Sequence, residues 1–452
     1  VPGGVTAPPL VVMLSAAHPP LDVRVVAKEG AALAAAGWRV RHVAPAPADG
    51  SAVPVMAHGV EIECWPRRGR GWLARLLALP SLVRRAAASG AAVLHASEPD
   101  AWLAAFLAAR RCGARVVIDV HEHYPSRLDP RLPAPLRPLA RALLRWLCRA
   151  AGWRADVVVV AKDGLDRDFG VPARTVAVRN YAAPTPIAPR QHEAGPLRLA
   201  HLGALTRERG ALEMLHALAL CPPKTRLRLI GRFTDGSEAA FWRLAEALSL
   251  SDRVESLGWL PQAAALTALA ECDIGLVLFQ PGVENHRLAL PHKLFDCMLA
   301  GLPVIAPRFA EEVAAIVTTA ACGRLVDTAS PAAVAEAAAG LAAPALRQQL
   351  GSSGRRAALT IFGWEGEARR LVELYRRLSA GALHPSPMGS GAPVSRMLFR
   401  LLSTAGQPAL MSGSTREPGR KPSCTTCSRT TSPRGSSVKV TREGGSARSD
   451  SS

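Results

Sequence analysis

No apolar run in this chain of 452 residues reaches the ~18 residues that a membrane-spanning helix needs, so none is expected. The opening stretch, VPGGVTAPPLVVMLSAAHPP, has no basic segment ahead of its apolar one. It does not read as a secretory leader, and LVVML reads as a first buried strand. Cysteine is sparse: nine residues, odd in number and scattered, which suits a reducing cytoplasm better than a disulfide framework. A single CxxC, Cys424 and Cys427, lies in a Ser/Thr-rich stretch with no second pair, too little for a zinc site. The glycine-rich dinucleotide fingerprint is missing as well. SAAHPPLDVR follows the first strand where G-x-G-x-x-G would stand, which argues against a nicotinamide-dependent dehydrogenase. Acidic residues are few, 36 against 55 basic, for a net charge of +19. The basic residues do not alternate with aromatics and form no nucleic-acid motif, so nucleic acid is not the expected partner.

What is present is a globular chain, 49% hydrophobic with a mean hydropathy of +0.12, long enough for two or three domains. The first half alternates helical patterns with the short apolar runs LVVML, RVRHVA, AAVLHAS, RVVIDV, DVVVVA and TVAVRN. Helices are expected around Lys28 to Ala36 and from Asp100 to Arg111. YAAPTPIAPRQHEAGP holds four prolines and reads as a linker. The alternation then restarts with LRLAHLG, a helix over Ala211 to Leu220, RLRLIG, RVESLG, a helix over Gln262 to Ala270, and DIGLVLF. This pattern predicts parallel sheets with helices on both faces. Two such doubly wound, Rossmann-like α/β domains leave a cleft at the C-terminal ends of their strands. The expected division is 1–183, 184–360, a terminal helix over 361–378, and 379–452. The last stretch is rich in Ser, Thr, Gly, Pro and Arg, which predicts disorder.

Several stretches can carry chemistry. ALPHKLFDCMLAGLPVIA, Ala289 to Ala306, reads as a helix opened at Pro291, stopped at Gly301 and followed by a buried strand. Leu294, Phe295, Met298 and Leu299 share its core face, and Lys293 and Asp296 share the other. A helix start with a nearby Lys favours phosphate, and an Asp one turn on can take two ribose hydroxyls. Taken alone, the pair is equally an ordinary surface Lys–Asp pair. IDVHEHYP sets His121, Glu122 and His123 at a strand end, where α/β sites sit. HLGALTRERGALEMLHAL sets Gly203, Arg207 and Arg209 before a helix. The first loop carries His18, Asp22 and Arg24, and Asp22 suits a helix cap equally well. VESLGWLP turns at Gly258, and Glu284 and Asn285 precede the Pro291 helix.

Together these stretches resemble the motifs of retaining glycosyltransferases with the GT-B fold, the large glycogen-synthase-like family of the group 1, or family 4, type. Ala289 to Ala306 is similar to P-x-K-[LF]-F-E-Y-M-x-x-G-x-P-V-I, with Asp296 in place of Glu and Cys297 in place of Tyr or Ala. Ile118 to Pro125 resembles D-x-H-E-x-[FY]-P. His201 to Leu218 resembles G-R-L-x-x-x-K-G, with Arg209 at the Lys position and Ala204 at the first Arg position. The first loop resembles H-x-x-x-D-x-R. Leu288 stands where many members carry a Glu that meets the sugar's 3- and 4-hydroxyls. The resemblance implies that Arg209 and Lys293 bind the donor diphosphate, Asp296 the ribose and His121 the donor hexose. Gly203, Arg207, Gly258 and Glu284 would complete the donor site. His18, Asp22, Arg24 and Glu122 would belong to the acceptor side, and the helix over 361–378 would cross back to the first domain. No metal or cofactor is expected, only a nucleoside-diphosphate sugar as substrate.

The expected activity is hexosyl transfer with retention to a saccharide or lipid-linked acceptor in polysaccharide or glycolipid biosynthesis. A sugar-nucleotide epimerase of the same fold and a non-catalytic, membrane-associated relative are the alternatives. Gly71 to Ala88 and Pro135 to Arg154 interleave Arg with Leu and Trp, which predicts helices that lie on an anionic membrane surface. The expected location is the cytoplasm, peripheral on the inner face of the cell membrane.

Overall fold

The computed structural model describes residues 8–380 apart from 67, 68, 70, 71 and 184. The disorder expected beyond the last helix and the Cys424–Cys427 pair fall outside the described residues. Strand β1 (Leu10–Leu14) is buried throughout. Leu10, Val12 and Leu14 face one apolar cluster, and Val11 and Met13 face another. A strand covered on both faces must be apolar at every position, so no alternation shows.

Before β2 (Arg39–Pro45) the chain makes a π-helical stretch, Val23–Gly30, that runs into α1 (Ala31–Ala35). The helix expected from Lys28 therefore begins earlier. Its cause is Asp22, whose Oδ1 accepts the Arg24 and Val25 amides at 2.9 and 3.0 Å, the bonding of an N-cap. β3 (Met56–Ala57) and β4 (Val60–Trp65) form an antiparallel edge hairpin that the strand pattern above does not include. Next come α2 (Trp72–Ala88), β5 (Val93–Ala96), α3 (Pro99–Cys112) and β6 (Arg115–Val120). α4 (Arg137–Arg154), β7 (Val157–Val160) and β8 (Thr175–Ala177) complete the first half. Its sheet runs β3-β4-β2-β1-β5-β6-β7-β8, parallel except at β3.

The second half opens with β9 (Arg198–Leu202), α5 (Ala211–Leu220), β10 (Arg226–Ile230) and α6 (Glu238–Ala247). β11 (Val254–Ser256), α7 (Gln262–Ala270), β12 (Ile274–Leu276), α8 (Glu284–Arg287) and α9 (His292–Leu299) follow. β13 (Val304–Pro307), α10 (Glu311–Ala320) and β14 (Gly323–Val326) close a parallel sheet ordered β11-β10-β9-β12-β13-β14. In each sheet the first strand is central and the winding reverses beside it, at β1/β5 and at β9/β12. Such reversals open crevices at the strand C-termini.

After α11 (Pro331–Ala339) and α12 (Pro344–Thr360), helix α13 (Trp364–Ser379) returns to the first half. Its Trp364, Leu371, Leu374, Tyr375 and Leu378 pack with Val11, Met13 and Val25. The two chain crossings are laced together. The Ala182 amide donates to the Phe362 carbonyl at 3.1 Å, and the Trp364 amide to the Ala182 carbonyl at 2.6 Å.

Candidate active site

At the β1/β5 reversal, the Glu98 carboxylate accepts the amides of Ala16, Ala17 and His18 at 3.0, 3.0 and 2.9 Å. One side chain thus fixes the loop after β1. Within that loop His18 Nδ1 lies 3.0 Å from Asp22 Oδ2, and the His18 ring meets His121 edge-on at 4.7 Å. Burial alone would lower the His18 pKa, but Asp22, Glu98 and Asp119 outweigh it and lift it to about 9. His18 is therefore a cation at neutral pH. Burial opposes the Asp22 charge, and the His18 hydrogen bond overcomes it, holding Asp22 well below the carboxylate range.

His121 follows β6, and its Nε2 pairs with Asp119 Oδ2, which leaves Nδ1 for a ligand. Arg24 requires a correction. Expected among the acceptor-side groups, it turns its guanidinium into the fold and is 4% exposed. Nε and Nη2 bind Asp119 at 3.0 and 2.8 Å, and Nη2 reaches Glu29 at 2.8 Å. Two buried carboxylates demand a cation, so Arg24 acts through Asp119. Glu29, His95 and Asp119 present possible metal-ligand atoms within 4.8 Å of one another, but the Arg24 guanidinium already occupies the cation's place. Tyr375 of α13 closes this network, its hydroxyl 2.8 Å from His95 Nδ1.

A cavity of about 350 Å³ opens here, lined by His18, Asp22, His121, Lys162 and Asn180 from the first half and Leu290 and His292 from the second. Glu122 does not line it. It is half-buried and pairs with Arg127 at 3.0 Å. His123 is structural, held by Ser126 Oγ at 2.8 Å and Asp168 at 3.1 Å. Asn285 Oδ1 accepts the His123 amide at 2.7 Å and so stitches the two halves together. Glu284 is gripped by Arg287, with contacts from 2.5 Å. Neither therefore replaces the acid missing at Leu288, which is buried in the apolar cluster of the first half.

At the β9/β12 reversal, the loop after β9 brings Gly203, Arg207 and Arg209 to the start of α5. Thr206 Oγ1 accepts the Arg209 amide at 3.1 Å. Gly210 has φ +79°, and a Cβ there would lie 2.4 Å from the Leu278 carbonyl oxygen, so only glycine lets the helix start against the segment that follows β12. Arg209 Nη1 donates to the Ala204 carbonyl at 3.4 Å. Lys293, one residue into α9, is 8% exposed. Its Nζ sits 3.0 Å from His201 Nε2 and 5.8 Å from the Phe279 ring centroid. Burial, and then Arg209, push the Lys293 pKa down to about 7. Burial, and then Lys293, hold His201 well below its usual value, so it is a neutral acceptor. Asp296 is lifted by burial to about 6, against the pull of Lys28 and Lys293. Arg207 is exposed, and its amide donates to Asp235 at 2.8 Å. Gly258 turns the chain after β11 with φ +66°.

The structure thus gathers His18, Asp22 and His121 in one cavity and Arg209, Lys293 and Asp296 beside it, joined by the consecutive residues His292 and Lys293. It leaves Glu122, Arg207 and Glu284 out of that group, while Arg24 borders the cavity with its guanidinium committed to Asp119 and Glu29. It adds Asp119, the opening Asp of the D-x-H-E-x-[FY]-P stretch, to which the motif reading gives no role, and Glu98, Lys28 and Lys162, which the sequence motifs do not single out. Lys28 bridges Asn180 Oδ1 at 3.0 Å and the Tyr181 carbonyl at 2.6 Å. The signal for Lys162 is its place at the C-terminal end of β7, where α/β sites form.

Residues 23–182 match the family described as glycosyl transferase 4-like domain, and residues 196–344 match that described as glycosyl transferases group 1. The fold superposes on sucrose-phosphate synthase from Thermosynechococcus elongatus with a TM-score of 0.66 at 20% identity, covering 82% of this chain and 100% of that one. Anabaena HepE in complex with UDP matches at TM-score 0.59 and 18% identity, covering 82% and 100%. The lipopolysaccharide outer core galactosyltransferase WaaB matches at 0.56 and 12%, covering 82% and 99%. At these identities the likeness carries the fold, which is GT-B. No curated protein matches the sequence. With both halves matched in order and the polar groups gathered between them, the chain belongs to the group 1 glycosyltransferases and is a glycosyl-transferring enzyme of GT-B architecture.

Proposed function

We propose that the enzyme moves a hexosyl group, with retention, from a nucleoside-diphosphate sugar to an acceptor held by the first half. The observation that carries this is the Arg209–Lys293 pair. Two cations stand at the starts of α5 and α9, buried enough to depress both pKa values, beside Asp296. HepE is known in complex with UDP and with UDP-glucose, which supports a donor of this class. Departure of the diphosphate is the hard step. Arg209, Lys293 and the free amides of the two helix starts stabilise the charge that develops on it, and fixed electrostatics of this kind is usually the largest catalytic contribution. Two fixed cations supply the charge that a divalent metal would otherwise supply. The sugar–phosphate C–O bond breaks, the acceptor oxygen bonds to the same face, and the leaving phosphate oxygen takes the acceptor proton. Asp296 accepts the ribose hydroxyls, and His121, oriented by Asp119, faces the hexose.

Incubation with a panel of nucleotide sugars, scoring nucleoside-diphosphate release, tests this reading. Release with at least one donor supports it. An epimerised nucleotide sugar, or no turnover with any donor, contradicts it.

The same proposal places the acceptor at a membrane, in polysaccharide or glycolipid biosynthesis at the cytoplasmic face. No described helix is long and apolar enough to cross a bilayer. Helix α4 instead exposes Leu139, Leu143, Leu147 and Trp153 among Arg137, Arg145, Arg149 and Arg154. Apolar side chains interleaved with arginine on an exposed helix suit the interface of an anionic membrane.

A further inference from the structure

We propose that Lys162 reads charge in the cavity between the halves, holding an anionic group, a carboxylate or a phosphate, on the sugar seated against His18 and His121. The proposal rests on the nucleotide-sugar reading above and adds the class of sugar. Lys162 directly follows β7, is 6% exposed and lines the cavity. Among the described residues its ammonium has no hydrogen bond, and only the longer-range pull of Glu312 and Glu122 acts on it. Burial brings its pKa to about 8, so it remains largely protonated at neutral pH.

The other charges around the cavity are matched internally. His18 answers Asp22 and Glu98, and Arg24 answers Asp119 and Glu29. Lys162 has only Glu312 of the second half within Coulombic reach, and that carboxyl is already engaged by the Asp163 amide at 3.0 Å and lifted by burial to about 7. Among the described residues the second half places no acid within ion-pair distance of it, and the segment across the cavity is apolar. Leu288, Ala289 and Leu290 are buried apolar residues, and Leu288 Cδ2 lies 3.3 Å from where a Cβ on Gly164 would stand. A buried charge without a partner is unfavourable. A neutral sugar hydroxyl is served as well by an uncharged amide side chain. A buried ammonium is retained to advantage when the ligand brings the opposite charge, and a site built for one group discriminates strongly against an analogue lacking it. The volume, about 350 Å³, falls within the roughly 300–1,000 Å³ typical of small-ligand sites.

The anion can belong to the donor or to the acceptor, and calorimetric titration distinguishes them. UDP-glucuronic acid is compared with UDP-glucose for the donor. Glucose 6-phosphate is compared with glucose, with and without UDP, for the acceptor. Parent protein and Lys162→Met are titrated alike, with Lys162→Gln as a second variant should the first not fold. The expected result is a preference of tenfold or more for one anionic probe over its neutral counterpart, reduced to twofold or less in the variant. A donor-side preference assigns the anion to the donor, and a glucose 6-phosphate preference assigns it to the acceptor. No preference for either anionic probe in the parent, or a preference that survives the substitution, overturns the proposal. UDP, GDP and ADP, each alone, are the controls for the reading beneath it. UDP, GDP and ADP all failing to bind the parent contradicts the nucleotide-sugar donor, and the comparison of glucose 6-phosphate with glucose still decides the case of Lys162.

Discussion

A lysine buried beside an arginine holds its proton poorly. Burial and Arg209 bring Lys293 to about 7, so near neutral pH it is only partly charged before the donor arrives. A diphosphate favours the charged form and raises that pKa. The sign follows directly. Well below pH 7 the ammonium already carries its proton and binding takes up none. Above pH 7 binding must draw a proton from solvent, and affinity falls as pH rises. Calorimetry of UDP binding in two buffers of different ionisation enthalpy is expected to show proton uptake that grows between about pH 7 and 8. Zero proton exchange and constant affinity across that range would contradict the assignment. Lys293 and Arg209 are legible in the sequence because each sits at a helix start with a recognisable pattern around it. Glu98 is not, since the amides it holds lie about eighty residues earlier and no local pattern reports a contact of that range. Arg24 shows the opposite failure. Its position in the loop motif is visible, but the direction of its guanidinium is decided by Asp119 and Glu29, which only the fold brings near.

Among the elements, α5 and α7 begin and end where periodicity predicts, at Ala211–Leu220 and Gln262–Ala270. Both have one apolar face against a sheet, and that face is what periodicity detects. β4 escapes the strand pattern although Val60 and Ile62 alternate with Glu61 and Glu63. That alternation marks a strand with one face toward solvent, unlike the fully apolar run of β1. The π-helical stretch at Val23–Gly30 is not legible either, because its extra turn width depends on what packs around it. For α4, the structure sharpens the membrane expectation. Arg141 is tied to Asp129 and Arg145 to Asp168, so the lipid-facing contribution falls to the exposed leucines and to Arg149 and Arg154. Basic residues near anionic lipid contribute about 1 kcal/mol each. In vesicle co-sedimentation the protein is expected to bind phosphatidylserine-containing vesicles, weakly at high salt. Leu139→Glu with Leu143→Glu is expected to abolish that binding. No binding to anionic vesicles at low salt would rule out docking through α4 and favour a soluble acceptor.

At the scale of the whole molecule, the site exists only because two sheets meet. The laced crossings at Ala182 and Phe362–Trp364, the Asn285–His123 contact and the bond from the Asp163 amide to Glu312 Oε1 at 3.0 Å set one half against the other. The buried Leu288 fills the join. None of these contacts has a sequence signature, since each depends on residues from both halves. Two doubly wound units are legible from strand–helix alternation, but the way they close on each other is not. The closure places the cations of the second half beside the histidine cavity of the first, and the mechanism requires that those cations carry the leaving diphosphate. The most direct measurement is the rate of nucleoside-diphosphate release by the parent, Arg209→Ala and Lys293→Ala, with the donor found in the panel, each with and without a chelator. Removal of one such preorganised charge is expected to slow release on the order of 100- to 1,000-fold, with the parent unaffected by the chelator. Either variant turning over like the parent, or a parent silenced by the chelator, would contradict it.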